Sequence, residues 1–196
     1  RSGMNMKMEY KKKIFQILYE EIGANAKVHR YYDREEKAKI DIYMAKDRPE
    51  VMLSTYSTIG LSEYTIGVTD RKGREIRVEF IGVCSTEVEI FPDILSSCAF
   101  NIINSKYTCK PGIVYPGVIS SYLKETDMKH IYFASPFLWE GLQGHELNNH
   151  AVAWLLVIPI SDAEFDYLRY NGDEAFEELL EQNEADFSDI YRNSVI

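Results

Sequence analysis

Histidine and cysteine are both scarce: 196 residues hold four of the first and three of the second. With so few of the preferred soft ligands, a zinc centre is not expected. Cys84, Cys98 and Cys109 are odd in number, widely spaced and form no C-x-x-C pair, which argues against a disulfide framework or a redox motif. Cys84 follows an apolar run and Cys98 lies on an apolar helical face. Both read as small core residues of a chain kept in a reducing, cytoplasmic compartment. No G-x-x-x-x-G-K-[ST], G-x-G-x-x-G or G-x-S-x-G occurs, so the familiar nucleotide and hydrolase sites have no sequence basis, and no cofactor is expected. Basic runs are missing apart from Lys11–Lys13, and direct nucleic-acid binding needs a cationic face. The longest apolar run, AVAWLLVIPI, has ten residues, about half of the ~20 that span a bilayer. The N-terminus is charged and has no apolar h-region, so no signal peptide is expected. Arg1-Ser2-Gly3 ahead of Met4 reads as a cloning scar and is set apart from a single domain over 4–196.

Acid is plentiful, and it is concentrated. The chain carries a net charge of -9. Residues 151–196 hold two Lys/Arg against eleven Asp/Glu, while residues 1–50 hold twelve against nine. The last quarter therefore has the charge of the whole. Such a segment is either a solvated face or a surface for a basic partner.

Apolar spacing gives the elements. Tyr10, Ile14, Ile17, Leu18 and Ile22 recur at helical intervals up to Gly23. KVHRYY and KIDIYMA read as strands, followed by a third in VMLSTYSTIG and a fourth in REIRVEFIGVC, where Ile76, Val78 and Phe80 alternate with Arg77 and Glu79. This pattern predicts a meander with one wet face. Phe91 to Ile102 is helical, with Pro92 in its first turn. Lys106 to Tyr122 is loop-rich, and HIYFAS is a short strand. The unbroken HAVAWLLVIPI predicts a central strand covered on both faces. Ser161 and Glu164 form a capping box. From Asp173 a further helix sets Phe176, Leu179 and Leu180 against Glu174, Glu177, Glu178 and Glu181. The fold class that follows is α+β: one mixed, mostly antiparallel sheet with flanking helices.

HELNNH, His145 to His150, is the nearest approach to a catalytic motif. A zincin needs its second histidine at i+4, on the same helix face, but that position is Asn149. Chelation by His145, Glu146 and His150 would require a non-helical loop, so the segment reads as an exposed loop entering a strand. No catalytic or metal-binding residue is assigned. STIGLSEY is a polar loop in which Gly60 suits a turn of positive φ.

Three blocks, YSTIGLSEY (56–64), KHIYFASPFLW (129–139) and WLLVIPISDAEFDYL (154–168), together resemble the suppressor-of-fused (SUFU-like) domain family, most of all its short bacterial members. The resemblance spans roughly Lys27 to Arg192. It implies a non-enzymatic immunity protein or antitoxin that binds and blocks a cognate toxin, often a basic nuclease domain. The alternative it leaves is a regulator that grips a peptide segment of a partner. Gly60, Leu61 and Ser62, then Pro136, Phe137 and Trp139, then Trp154, Pro159, Ser161, Asp162 and Glu164 match the family blocks, and their expected role is structural. Phe137 and Trp139 are expected to turn inward and plug one end of the sheet, with a surface aromatic anchor as the competing reading. The toxin-facing surface is expected on Glu174, Glu177, Glu178 and Glu181, with Asp186 and Asp189 nearby. LQGHELNNHA has no counterpart in the family pattern.

Overall fold

A computed structural model describes residues 2–23 and 25–196; Arg1, part of the presumed scar, lies outside them. The described elements run α1 (Ser2–Ile22), β1 (Ala26–Tyr32), β2 (Lys39–Lys46), β3 (Leu53–Ile59), β4 (Val68–Thr69), β5 (Glu75–Ser85), α2 (Phe91–Ser105), β6 (Val114–Tyr115), β7 (Met128–Ala134), β8 (His145–Leu147), β9 (His150–Ser161) and α3 (Asp162–Gln182). All described strands join one sheet of order β1-β2-β3-β5-β9-β7-β6, with β4 pairing β5 and β8 pairing β9 off that path. Every pairing is antiparallel except β5 with β9. The parallel pair is made possible by the long crossover that contains α2 and β7.

Strands β2, β3, β5, β9 and β7 are covered on both faces, while the edge strand β1 stays largely exposed. On one side α2 presents Phe91, Ile94, Leu95, Cys98 and Ile102 to Ile40, Ile42, Val78, Phe80, Leu155 and Val157. On the other, Tyr10, Ile14, Leu18 and Ile22 of α1 and Leu168 and Phe176 of α3 cover Tyr43, Ile81, Tyr132, Trp154, Leu156 and Ile158. Alternation along β9 divides its side chains between these two cores, as a central strand requires. The wet face predicted for the meander is therefore corrected. Asp41, Tyr43 and Glu79, the positions that alternation assigned to water, are buried beneath α1 and the 60–63 turn. Helix α1 makes this possible, because its i, i+4 stripe needs an apolar surface to lie on. Asp41 is held there by Lys11 at 2.9 Å and Arg30 at 2.8 Å.

Gly172 (φ 85°, ψ 169°) breaks α3 into two segments, and the second is the acidic helix expected from Asp173. The redirection seats Phe176 edge-on against Tyr132, with ring centroids 5.1 Å apart. The three cysteines are free and buried, in the core as expected for Cys84 and Cys98. No described helix is long and apolar enough to cross a membrane.

Candidate functional site

The family-block residues organise two buried carboxylates. Glu79, fully enclosed, accepts hydrogen bonds from the hydroxyl of Thr58 (2.6 Å), the backbone N–H groups of Gly60 (2.8 Å), Leu61 (3.1 Å) and Ser62 (3.2 Å), and the Ser62 hydroxyl (2.9 Å). Successive N–H groups can point at one carboxylate because Gly60 takes φ 98°, a conformation that costs a side chain energy. Tyr10 reaches Ser62 from α1 at 2.7 Å, which ties the helix to this turn. Burial pushes the Glu79 carboxyl up to about 7, against the pull of its donors.

Glu164, also fully buried, lies in the capping box: Ser161 accepts from the Glu164 N–H, and Glu164 accepts from the Ser161 N–H. The same carboxylate takes a two-pronged hydrogen bond from Arg192, at 2.7 and 2.8 Å, and a third from the Val195 N–H. Arg192 also donates to the Pro159 carbonyl, so the C-terminal strand of sequence is latched to the β9–α3 corner. These donors hold the Glu164 carboxyl below its ordinary value despite burial. Asp162, exposed, accepts from His130 Nε2 at 2.6 Å; the His130 Nδ1 accepts from the Gly117 N–H, which fixes the ring tautomer. Trp154 is buried and donates to Ser57.

The proline turn separates its aromatics. Pro136 and Trp139 are buried, and Gly141 lets the Glu21 carboxylate approach so closely that a Cβ would overlap it. Phe137, however, is 57% exposed. The expectation that both rings turn inward is therefore corrected for Phe137, whose ring meets Phe187 edge-on at 5.6 Å. The backbone turn around Pro136 allows one direction inward for Trp139 and leaves Phe137 facing the C-terminal segment.

Between these parts lies a groove of about 610 Å³. Ala134, Phe137, Ile158, Leu180 and Phe187 give it an apolar lining, and Glu177, Glu181 and Glu184 stand along it. Glu177 is positioned from below by the Tyr132 hydroxyl at 2.8 Å. Arg192 also reaches the groove, but its charge is spent on Glu164, and its Nε is the one buried side-chain polar atom without a hydrogen-bond partner among the described residues. The six acids expected to face a partner are all exposed, yet they do not form one set. Glu177 and Glu181 line the groove, whereas Glu174 and Glu178 do not, and Glu178 takes a hydrogen bond from Gln182. Asp186 accepts from the backbone and hydroxyl of Ser188, and Asp189 accepts from the Tyr191 N–H, so both brace turns of the C-terminal segment. Sequence reasoning missed Glu184, Phe187 and Arg192. Arg192 carried no distinguishing signal: it is one of two basic residues in the last 46, and the other, Arg169, pairs with Asp166 at the exposed surface.

HELNNH is a hairpin. Asn148 (φ 48°) and Asn149 (φ 68°) form a two-residue turn of left-handed conformation between β8 and β9. His145 Nε2 is hydrogen-bonded to the Gly141 carbonyl, His150 lies 3.6 Å from Glu75, and Glu146 pairs with Arg74. No cluster of three potential metal ligands occurs among the described residues.

An α+β scaffold of one mixed, mostly antiparallel sheet, with a buried polar frame and an open acidic groove, is the class these features define. Residues 36–193 match the family model of suppressor of fused protein (SUFU), and the chain belongs to that family. It is 41% identical over 175 residues, 89% of this chain and 91% of the relative, to immunity protein YqcF of Bacillus subtilis (strain 168). The fold is shared with a SUFU homolog from Neisseria gonorrhoeae FA 1090 (TM-score 0.73, 15% identity, 96% of this chain and 98% of that one). It is shared also with a chain of the Sufu–Fu complex (TM-score 0.61, 12% identity, 94% and 90% covered).

Proposed function

We propose that this chain is an immunity protein, which neutralises a cognate protein toxin by stoichiometric occupancy and without turnover. The observation that carries the reading is the 41% identity, over nearly the full length of both chains, to a protein named for immunity. The charge distribution supports a basic partner. A nuclease toxin needs a cationic surface for its substrate, and an anionic protein that covers it removes that substrate by competition. The exposed carboxylates of α3 and the groove beside them supply such a surface.

Co-expression with the open reading frame that neighbours this chain's gene is the test. The expected outcome is restored growth together with an equimolar complex on size-exclusion chromatography. Growth arrest at saturating levels of folded protein would refute the proposal. A partner captured without any toxicity would instead favour the peptide-binding regulator.

A further inference from the structure

The second segment of α3 breaks two rules of helix ends, both at the groove. A helix C-terminus carries partial negative charge, which basic side chains normally offset, but the last turn here contains none. Glu177, Glu178 and Glu181 crowd that end instead. The helix then closes in a Schellman motif: the Ala185 N–H donates to the Leu180 carbonyl (2.9 Å), and the Glu184 N–H to that of Glu181 (3.0 Å). The residue left in the left-handed position is Glu184, at φ 49°. Glycine holds that position at lower cost. Glu184 is exposed and, among the described residues, has no side-chain hydrogen bond or ion pair that would explain its presence. Local rules are broken where function demands it. Three of these four carboxylates, Glu177, Glu181 and Glu184, share the apolar groove, beside which Phe137 stands exposed; Glu178 lies off it.

We infer that the Phe137–Phe187 groove is the docking point for a cation-flanked apolar side chain of a partner polypeptide: one aromatic or large aliphatic residue with Lys or Arg beside it in sequence. This rests on the immunity reading for the partner's identity, but not for its chemistry. The apolar side chain fills the space between Phe137, Leu180 and Phe187. The flanking cations meet Glu177, Glu181 and Glu184 together with the negative helix end. Arg192 does not oppose them, because Glu164 has already neutralised it. An acidic or purely apolar segment would leave the three carboxylates uncompensated as they were desolvated.

The probe is a fluorescein-labelled 14-residue peptide with a central tryptophan between lysine pairs; its control replaces each lysine with glutamate. Anisotropy titration against the intact chain at low salt is expected to show saturable binding of the lysine peptide and none of the control. Phe137→Ala and Glu184→Gly should each weaken binding about tenfold. Glu184→Gly should also raise the folding equilibrium constant about fivefold, since it relieves the left-handed glutamate; this separates lost docking from lost structure. The paired variant Glu174→Gln/Glu178→Gln should stay within about threefold of the parent. Equal affinity of parent, Phe137→Ala and Glu184→Gly, or the absence of saturable binding, would overturn the inference. Growth rescue is scored separately. Protection that survives both groove variants sinks the docking point and leaves the immunity reading; peptide binding without protection does the reverse.

Discussion

Glu79 shows how a single side chain can mislead a periodicity argument. Strict alternation in REIRVEFIGVC assigns it to the side of Arg77 and hence to water, yet it is the enclosed centre of the 58–62 turn. Alternation reports which face a residue takes, and only the tertiary cover decides whether that face is wet. The same limit divided Phe137 from Trp139: aromatic content around a proline marked the corner, while direction depended on a backbone turn that composition does not encode. Gly60 was legible, because a left-handed turn leaves a strong residue preference. The burial of Glu79 carries a testable pH dependence. Its carboxyl rises from an ordinary 4.5 to about 7 in the folded protein. The folded state thus binds the proton more tightly than the unfolded chain. That stabilisation is fully present below about pH 4.5 and is lost as pH rises through about 7. Compared with Glu79→Gln, which does not titrate, the parent should lose roughly 3 kcal/mol of relative stability across that window. Urea unfolding of both proteins at pH 4.5, 6 and 7.5 measures it. A constant difference would mean that the five donors keep the carboxylate charged throughout.

The elements were the most legible level, since helical and strand periods are written along the chain whatever covers them. The strands expected at 27–32, 39–45, 130–135 and 150–160 occur within two residues of those bounds, and the capping box and the helix from Asp173 occur where spacing placed them. The hairpin at Asn148-Asn149 was hidden by a search for metal ligands, although two adjacent asparagines between short polar runs are a turn signal in their own right. The latch was illegible for a different reason: Glu164 and Arg192 are 28 residues apart, and no period links an ion pair across a chain reversal. It is the feature that fixes the C-terminal segment on which the groove depends. Arg192 and Glu164 are 6% and 0% exposed at their side chains, so removing one strands the other. Arg192→Ala should cost about 3–5 kcal/mol by urea denaturation. Arg192→Met combined with Glu164→Gln should recover part of that loss, because neither buried group is then charged. A cost below about 1 kcal/mol would show that water already reaches the pair.

At the scale of the whole molecule, charge and shape divide the work of recognition between long range and contact. The net charge of -9 is equalled by residues 151–196 alone, the segment that supplies most of the groove's lining. A field of that kind acts over about a Debye length, near 10 Å at 0.1 M salt, and alters encounter before any contact forms. Glu174 and Glu178 contribute to the field without lining the groove, whereas Phe137 lines the groove without contributing charge. The two roles therefore predict different kinetic signatures with the proposed toxin partner. Glu174→Lys/Glu178→Lys should slow association about tenfold at low salt and leave dissociation within about twofold, with the difference vanishing above about 0.5 M salt. Phe137→Ala should instead hasten dissociation at every salt concentration, because the contact it removes exists only in the complex. Stopped-flow association and competitive dissociation, run at 0.05 and 0.5 M salt, separate these outcomes. If charge reversal changed dissociation as strongly as association, Glu174 and Glu178 would be contact residues, and the acidic helix rather than the groove would be the surface that meets the proposed partner.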